Sequence, residues 1–125
     1  GGGGGGEPLF AHFTWEDWVL LSLRFELHLL VHAYKHDVND PDRTSFHLDH
    51  LTYYYDRYYR KPIVLKLFGV GTLPELLAIV KDTIEVAPKT PMLDPQLEED
   101  TPLDNFLRLA EDHRRERQWR SDAGC

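Results

Sequence analysis

The stretch "SFHLDHLTYYYDRYYRKPIVLKLFGVGTLPELLAIVKDTIEV", residues 45–86, decides what fold the chain can adopt. Projected at 100° per residue, Leu48, Leu51, Tyr55, Tyr58 and Tyr59 share one helical face. His50, Tyr53, Arg57, Arg60 and Lys61 share the other, with His47 and Tyr54 at the border. Thr44 or Ser45 can cap this helix, and Pro62 ends it because the residue before a proline avoids helical backbone angles. "IVLKLFGVG" (63–71) reads as a connecting turn with little regular structure. "TLPE" (72–75) then starts a third helix, with Thr72 as cap, proline in the first turn and Glu75 reaching back. That helix runs to about Lys81, and the β-branched Thr83, Ile84 and Val86 predict a short strand after it.

Outward toward the N-terminus, Thr14 followed by Asp17 reads as a capping box for a helix from Trp15 to about His36. Its main apolar face carries Val19, Leu20, Leu23, Leu27, Leu30, Val31 and Tyr34, with Arg24, His28 and Lys35 expected on the opposite, polar side. A second apolar line, Trp18, Leu21, Phe25 and Leu29, requires a cover of its own. Toward the C-terminus, residues 88–102 hold four prolines and an acidic run, so a loop is expected and no second strand at "KTPMLDP" (89–95). A last helix follows from Pro102 to about Arg120, apolar at Leu103, Phe106, Leu107 and Ala110. The organisation expected is therefore a Gly-rich flexible linker (1–8), a three-helix core with a short β element (9–87), a Pro/acidic linker (88–101), a C-terminal helix (102–120) and a tail (121–125). The fold class is mostly α (α+β).

At 125 residues the chain can bury one modest core. No apolar run approaches the ~20 residues of a membrane helix, and no signal peptide is evident, so no membrane is expected as a partner. The lone Cys125 excludes an internal disulfide and a cysteine-based zinc site, which fits an intracellular, cytoplasmic or nuclear location. A net charge of −7 argues against gripping nucleic acid with the whole surface. Residues 46–70, however, carry four cations against two carboxylates, a cationic island in an acidic chain.

Within that island Tyr55, Tyr58 and Tyr59 read as core rings with hydroxyls at the rim. Tyr53 stands among cations on the outward side, an arrangement suited to base stacking beside phosphate contacts. A plain solvated charged face is the competing reading. His28, His32 and His36 recur every four residues, within metal-bridging reach, but "HLLVH" (28–32) lacks the glutamate of a zinc-protease helix. No metal or other cofactor is expected. Ser22 and Ser45 lie in no nucleophile-elbow context and Gly69-Val70-Gly71 is too short to cradle phosphate, so no enzymatic activity is expected. "HRRERQWR" (113–120) is a weaker cationic stretch, read as an ion-paired helix end.

Taken together, residues 45–86 resemble a LOTUS domain, also called OST-HTH. The resemblance rests on Leu48, Leu51, Tyr55, Tyr59, Lys61-Pro62, Leu65, Phe68-Gly69, Leu73, Leu76-Leu77, Asp82 and Ile84 to Val86, and covers about a third of the chain. It implies a winged helix-turn-helix core over 9–87 whose first helix is the long N-terminal one. It also implies RNA binding, including G-rich forms, and, in an extended subset with an added C-terminal helix, docking to a DEAD-box helicase. Two readings follow. In the first, the chain is a non-enzymatic RNA-binding module in which Arg57, Arg60, Lys61 and Lys66 neutralise phosphates while Tyr53 stacks. In the second it is a protein-interaction module, with no direct nucleic-acid contact, that offers Trp18, Leu21, Phe25, Leu29, Phe106 and Leu107 to a partner helix or helicase. Internal packing of the C-terminal helix onto that line is the alternative to such a partner.

Overall fold

Thr14 begins the first regular element because the Asp17 carboxylate accepts both its backbone N–H (2.8 Å) and its hydroxyl (3.0 Å). Helix α1, Trp15–Val38, closes at Asn39, whose left-handed backbone (φ 50°) returns its N–H to the Lys35 carbonyl. The computed structural model describes residue 8 and residues 10–122, the last four in backbone only. The linker expected at 1–8, Pro8 excepted, and residues 123–125 lie outside the described residues.

Helix α2 is Leu51–Tyr59, α3 is Leu73–Ile79 and α4 is Leu103–Asp122, which takes the first two residues of the expected tail into helix. Strands β1 (Ile84–Val86) and β2 (Leu93–Pro95) pair antiparallel, with Glu85 opposite Asp94. The chain is thus mostly helical with a small two-stranded sheet. None of its described helices is long and apolar enough to cross a membrane.

Strand β2 corrects the expectation of an unstructured 88–101. The segment 45–48 lies along its other edge: Phe46 accepts from the Leu93 N–H (3.0 Å), and Leu48 donates to the Pro91 carbonyl (2.8 Å). His47 bridges Met92. Prolines can border such a strand because the ladder needs no N–H from them at its ends. The start of α2 differs for the same reason. Ser45 caps nothing; it is buried and its hydroxyl donates to the Leu93 carbonyl. A 3-10 turn, Leu48–His50, leads into α2 instead. "IVLKLFGVG" also holds a 3-10 turn, Leu65–Phe68, closed by Gly69 at φ 72°, where a side chain would strain the backbone.

Two cores flank α1. The larger gathers Leu23, Leu27, Leu30 and Val31 of α1 with Phe46, Leu51 and Tyr55, Leu76 and Leu77 of α3, and Ile84 and Leu93 of the hairpin. The smaller joins Leu21 to Phe106 and Ala110 of α4, with Phe25 and Leu107 packed against it. Each fully buried Leu or Phe contributes about 1.5–3 kcal/mol of transfer free energy. This second core corrects the reading of a polar far side on α1. Lys35 is exposed, but Arg24 and His28 are each 1% exposed, because α4 and the segment leading into it cover them. Arg24 satisfies its charge in a bidentate pair with Asp82 (both N···O 3.1 Å), and a further N–H reaches the Ile79 carbonyl.

Candidate nucleic-acid interface

Tyr53 is 59% exposed, yet it is not a loose side chain. Its ring meets Tyr54 edge-on at 5.1 Å, Tyr54 packs on Phe46 at 4.6 Å, and Phe46 packs on Tyr34 at 5.0 Å. This relay of rings runs from the core to the surface and holds Tyr53 as a platform. One helical turn on stands Arg57, then Arg60, and a shallow recess is lined by Tyr53, Asp56, Arg57 and Arg60. Both arginines are exposed, and among the described residues neither forms an ion pair.

Arg60 is placed by the end of α2 rather than by its face. It is the C-cap, in the left-handed region at φ 58°, and its N–H returns to the Asp56 carbonyl at 2.7 Å. Glycine is the ordinary occupant of such a cap, and an L side chain there costs about 1 kcal/mol. A position that carries arginine against that cost points to a use for the side chain.

Lys61 and Lys66, expected beside these arginines, do not join them. Lys61 lies 2.7 Å from the Glu26 carboxylate and 5.9 Å from the centroid of the Tyr55 ring, on the α1 side of the molecule. Lys66 is exposed in the Leu65–Phe68 turn and is not among the recess residues. The remaining tyrosines clasp α2 to α1. Tyr55 donates to the Glu26 carboxylate (2.6 Å), Tyr58 to the Asp37 carboxylate (2.6 Å) and Tyr59 to the Glu26 carbonyl (2.6 Å). Burial first, then the neighbouring acid, pushes the Tyr58 and Tyr59 phenols up to about 12, and raises Tyr55 as well. All three therefore remain neutral donors. Tyr55 is buried as expected, whereas Tyr58 and Tyr59 are only half-buried.

The residues offered to a protein partner divide. Leu21 and Phe106 are buried against each other, and Phe25 meets Phe106 edge-on at 5.3 Å with Leu107 beside them. The C-terminal helix is thus an internal cover of that line: it buries Leu21 and Phe106, and leaves Phe25 and Leu107 partly exposed. Trp18 and Leu29 remain 42% exposed. Among the described side chains of 113–118, three arginines are likewise paired within the chain: Arg114 and Arg115 with the buried Glu111, Arg117 with Glu16 and Asp17.

The histidines of α1 face oxygen atoms of the segment before α4. The ring Nε2 of His28 faces the Glu99 carbonyl (3.4 Å), that of His32 the Leu97 carbonyl (3.2 Å), and His36 pairs with the Glu99 carboxylate. Among the described residues no group of three such side chains could hold a metal ion. Burial lowers the pKa of His28 and leaves its Nδ1 without a partner. Sequence reasoning missed Glu26, which ties Tyr55 and Lys61 together, because nothing in the α1 pattern distinguishes it from a solvated carboxylate. Compared with known proteins, the chain matches no family model, no curated protein and no solved structure.

Proposed function

We propose that the chain is a non-enzymatic RNA-binding module of LOTUS type that takes single-stranded RNA on the recess of Tyr53, Asp56, Arg57 and Arg60. The observation that carries this reading is an arginine kept at a left-handed cap, beside a second unpaired arginine and a braced, exposed tyrosine. A base stacks on Tyr53, an interaction that tolerates any sequence because every base has a π-face. The two guanidiniums take adjacent phosphates in their fork of donors. Asp56 is an acceptor-only group, so it disfavours phosphate but receives the paired N–H donors on the Watson–Crick edge of guanine. That chemistry supports a preference for G-rich strands. The β1–β2 hairpin after α3 supports the winged-helix assignment, with α1 as the first helix of the trihelical core.

The test is a titration of a labelled G-rich RNA and an unrelated single strand, with the double variant Arg57→Ala/Arg60→Gly as control. Binding of the native chain should weaken at least tenfold in the variant while the helical circular dichroism is unchanged. Equal affinity of variant and native chain rejects the reading. Asp56→Asn should weaken the G-rich strand relative to the other.

A further inference from the structure

A cleft of about 770 Å³ opens between the end of α3 and β1 on one side and α4 on the other. Ile79 and Leu109 give it half-buried apolar walls, and Arg24 of α1, 1% exposed, lies at its floor. The Nε and Nη2 groups of Arg24 are turned to Asp82 and the Ile79 carbonyl, which leaves Nη1 outside that fork. This nitrogen is buried and has no partner among the described residues. Across the cleft stands His113 of α4, whose pKa is held below 6.5 by burial first and then by Arg24, so its ring is neutral at pH 7. A buried charged donor left unmade carries its whole desolvation cost, and native chains seldom keep one without a use.

The rim has the opposite character to the floor. Glu85 of β1 and Asp112 of α4 line the cleft from its two sides, both exposed and neither in an ion pair among the described residues. Asp82 and Glu116 bring the lining carboxylates to four, against Arg24 and Lys81 as cations. The Arg24–Asp82 pair is neutral as a unit, and Glu116 is engaged by an interaction of its own. Even so, Glu85 and Asp112 outnumber Lys81 at the mouth, in a chain whose net charge is −7. A cleft lined by one sign of charge concentrates ligands of the other, so cations are drawn here.

We propose that this cleft binds a basic amino acid, its carboxylate accepting from Nη1 of Arg24 at the floor and its side-chain ammonium held by Glu85 and Asp112 at the mouth. The methylene chain between the two groups lies along Ile79 and Leu109, the apolar wall with a few placed polar groups that a small-ligand site requires. A cation without an oxygen satisfies the rim and leaves Arg24 unmade; an acidic amino acid reaches Arg24 but meets the rim carboxylates. A molecule carrying both an acceptor and a cation answers floor and rim together. The cleft shares no lining residue with the recess of Tyr53, Asp56, Arg57 and Arg60, so this site is separate from the RNA reading.

The probes are L-lysine, L-glutamate and putrescine, which keeps the ammonium groups and has no oxygen. Each is titrated into the full chain by calorimetry while the His113 ring signals are followed by proton NMR. Lysine should bind and shift those signals, putrescine should bind at least tenfold more weakly, and glutamate more weakly still. Glu85→Gln/Asp112→Asn, both at exposed positions, should weaken lysine at least tenfold with the circular dichroism intact, whereas Arg57→Ala/Arg60→Gly should leave lysine binding unchanged. The proposal is overturned if lysine does not bind, if putrescine or glutamate binds as tightly, or if lysine binds while the His113 signals stay in place. It is equally overturned if Glu85→Gln/Asp112→Asn has no effect or if Arg57→Ala/Arg60→Gly abolishes lysine binding.

Discussion

Arg24 is the residue whose environment is least forgiving. Its side chain is 1% exposed and its charge is balanced by Asp82, which is 36% exposed. One of its terminal nitrogens, Nη1, has no partner. Removing one member of such a pair strands the other, and the cost falls on whichever charge is buried. Asp82→Ala should therefore destabilise the chain by about 2–4 kcal/mol, whereas Arg24→Met, which fills the site without a charge, should cost less. Urea unfolding of the two variants checks the order, and the reverse order would show that the guanidinium is held by more than its carboxylate. Arg60 presents the opposite case. Because glycine relaxes its left-handed backbone, Arg60→Gly should leave the thermal midpoint no lower than that of the native chain while RNA affinity falls. Thermal melts and RNA titrations of that single variant separate a side chain kept for binding from one kept for the fold.

Among the elements, α4 and the segment before it depend on the histidines of α1. His28 is buried against Phe106 and His32, and faces Glu99. Burial lowers its pKa below the ordinary 6.5, and His113 on α4 is lowered likewise, by burial first and then by Arg24. The unfolded chain thus binds these protons more readily than the folded one. Stability is fully present above pH 6.5 and declines as the pH falls below it. Urea midpoints at pH 7.5 and 5.5 should show the loss, and His28→Gln, which keeps a donor toward Glu99 but does not titrate, should reduce it. A chain cut after residue 101 loses the cover over Leu21 and Phe25 and should bind a hydrophobic dye strongly. Phe106→Ala, at a fully buried position, should produce the same effect more mildly, at about 3–5 kcal/mol.

For the whole molecule, a net charge of −7 limits what two arginines can hold. With about 0.7 counterions released per phosphate contact on a single strand, RNA affinity should fall with a log–log salt slope of about 1.4. A slope near 3 would require Lys61 and Lys66 to contribute after all. The sequence carried some of this architecture openly. Thr14 with Asp17, and Thr72 with Glu75, placed two helix starts through local hydrogen bonds that need no tertiary context. Tyr53 and Arg57 were assigned to the outward side by period alone. The burial of Arg24 was hidden because its partner Asp82 and its cover α4 are far along the chain, and helical period reports one face at a time. Strand β2 was hidden because three residues among prolines carry no period at all. Lys61 was misplaced because the helix ends at Tyr59, and beyond a left-handed cap the projection no longer holds.

Helix α1 lies between both cores, so no single opening event can wet it from both sides. In heavy water its amides from Leu23 to Val31 should be the last to take up deuterium, and only as fast as the entire chain comes apart. The amides of α4, which can detach while the larger core stays closed, should be labelled far sooner.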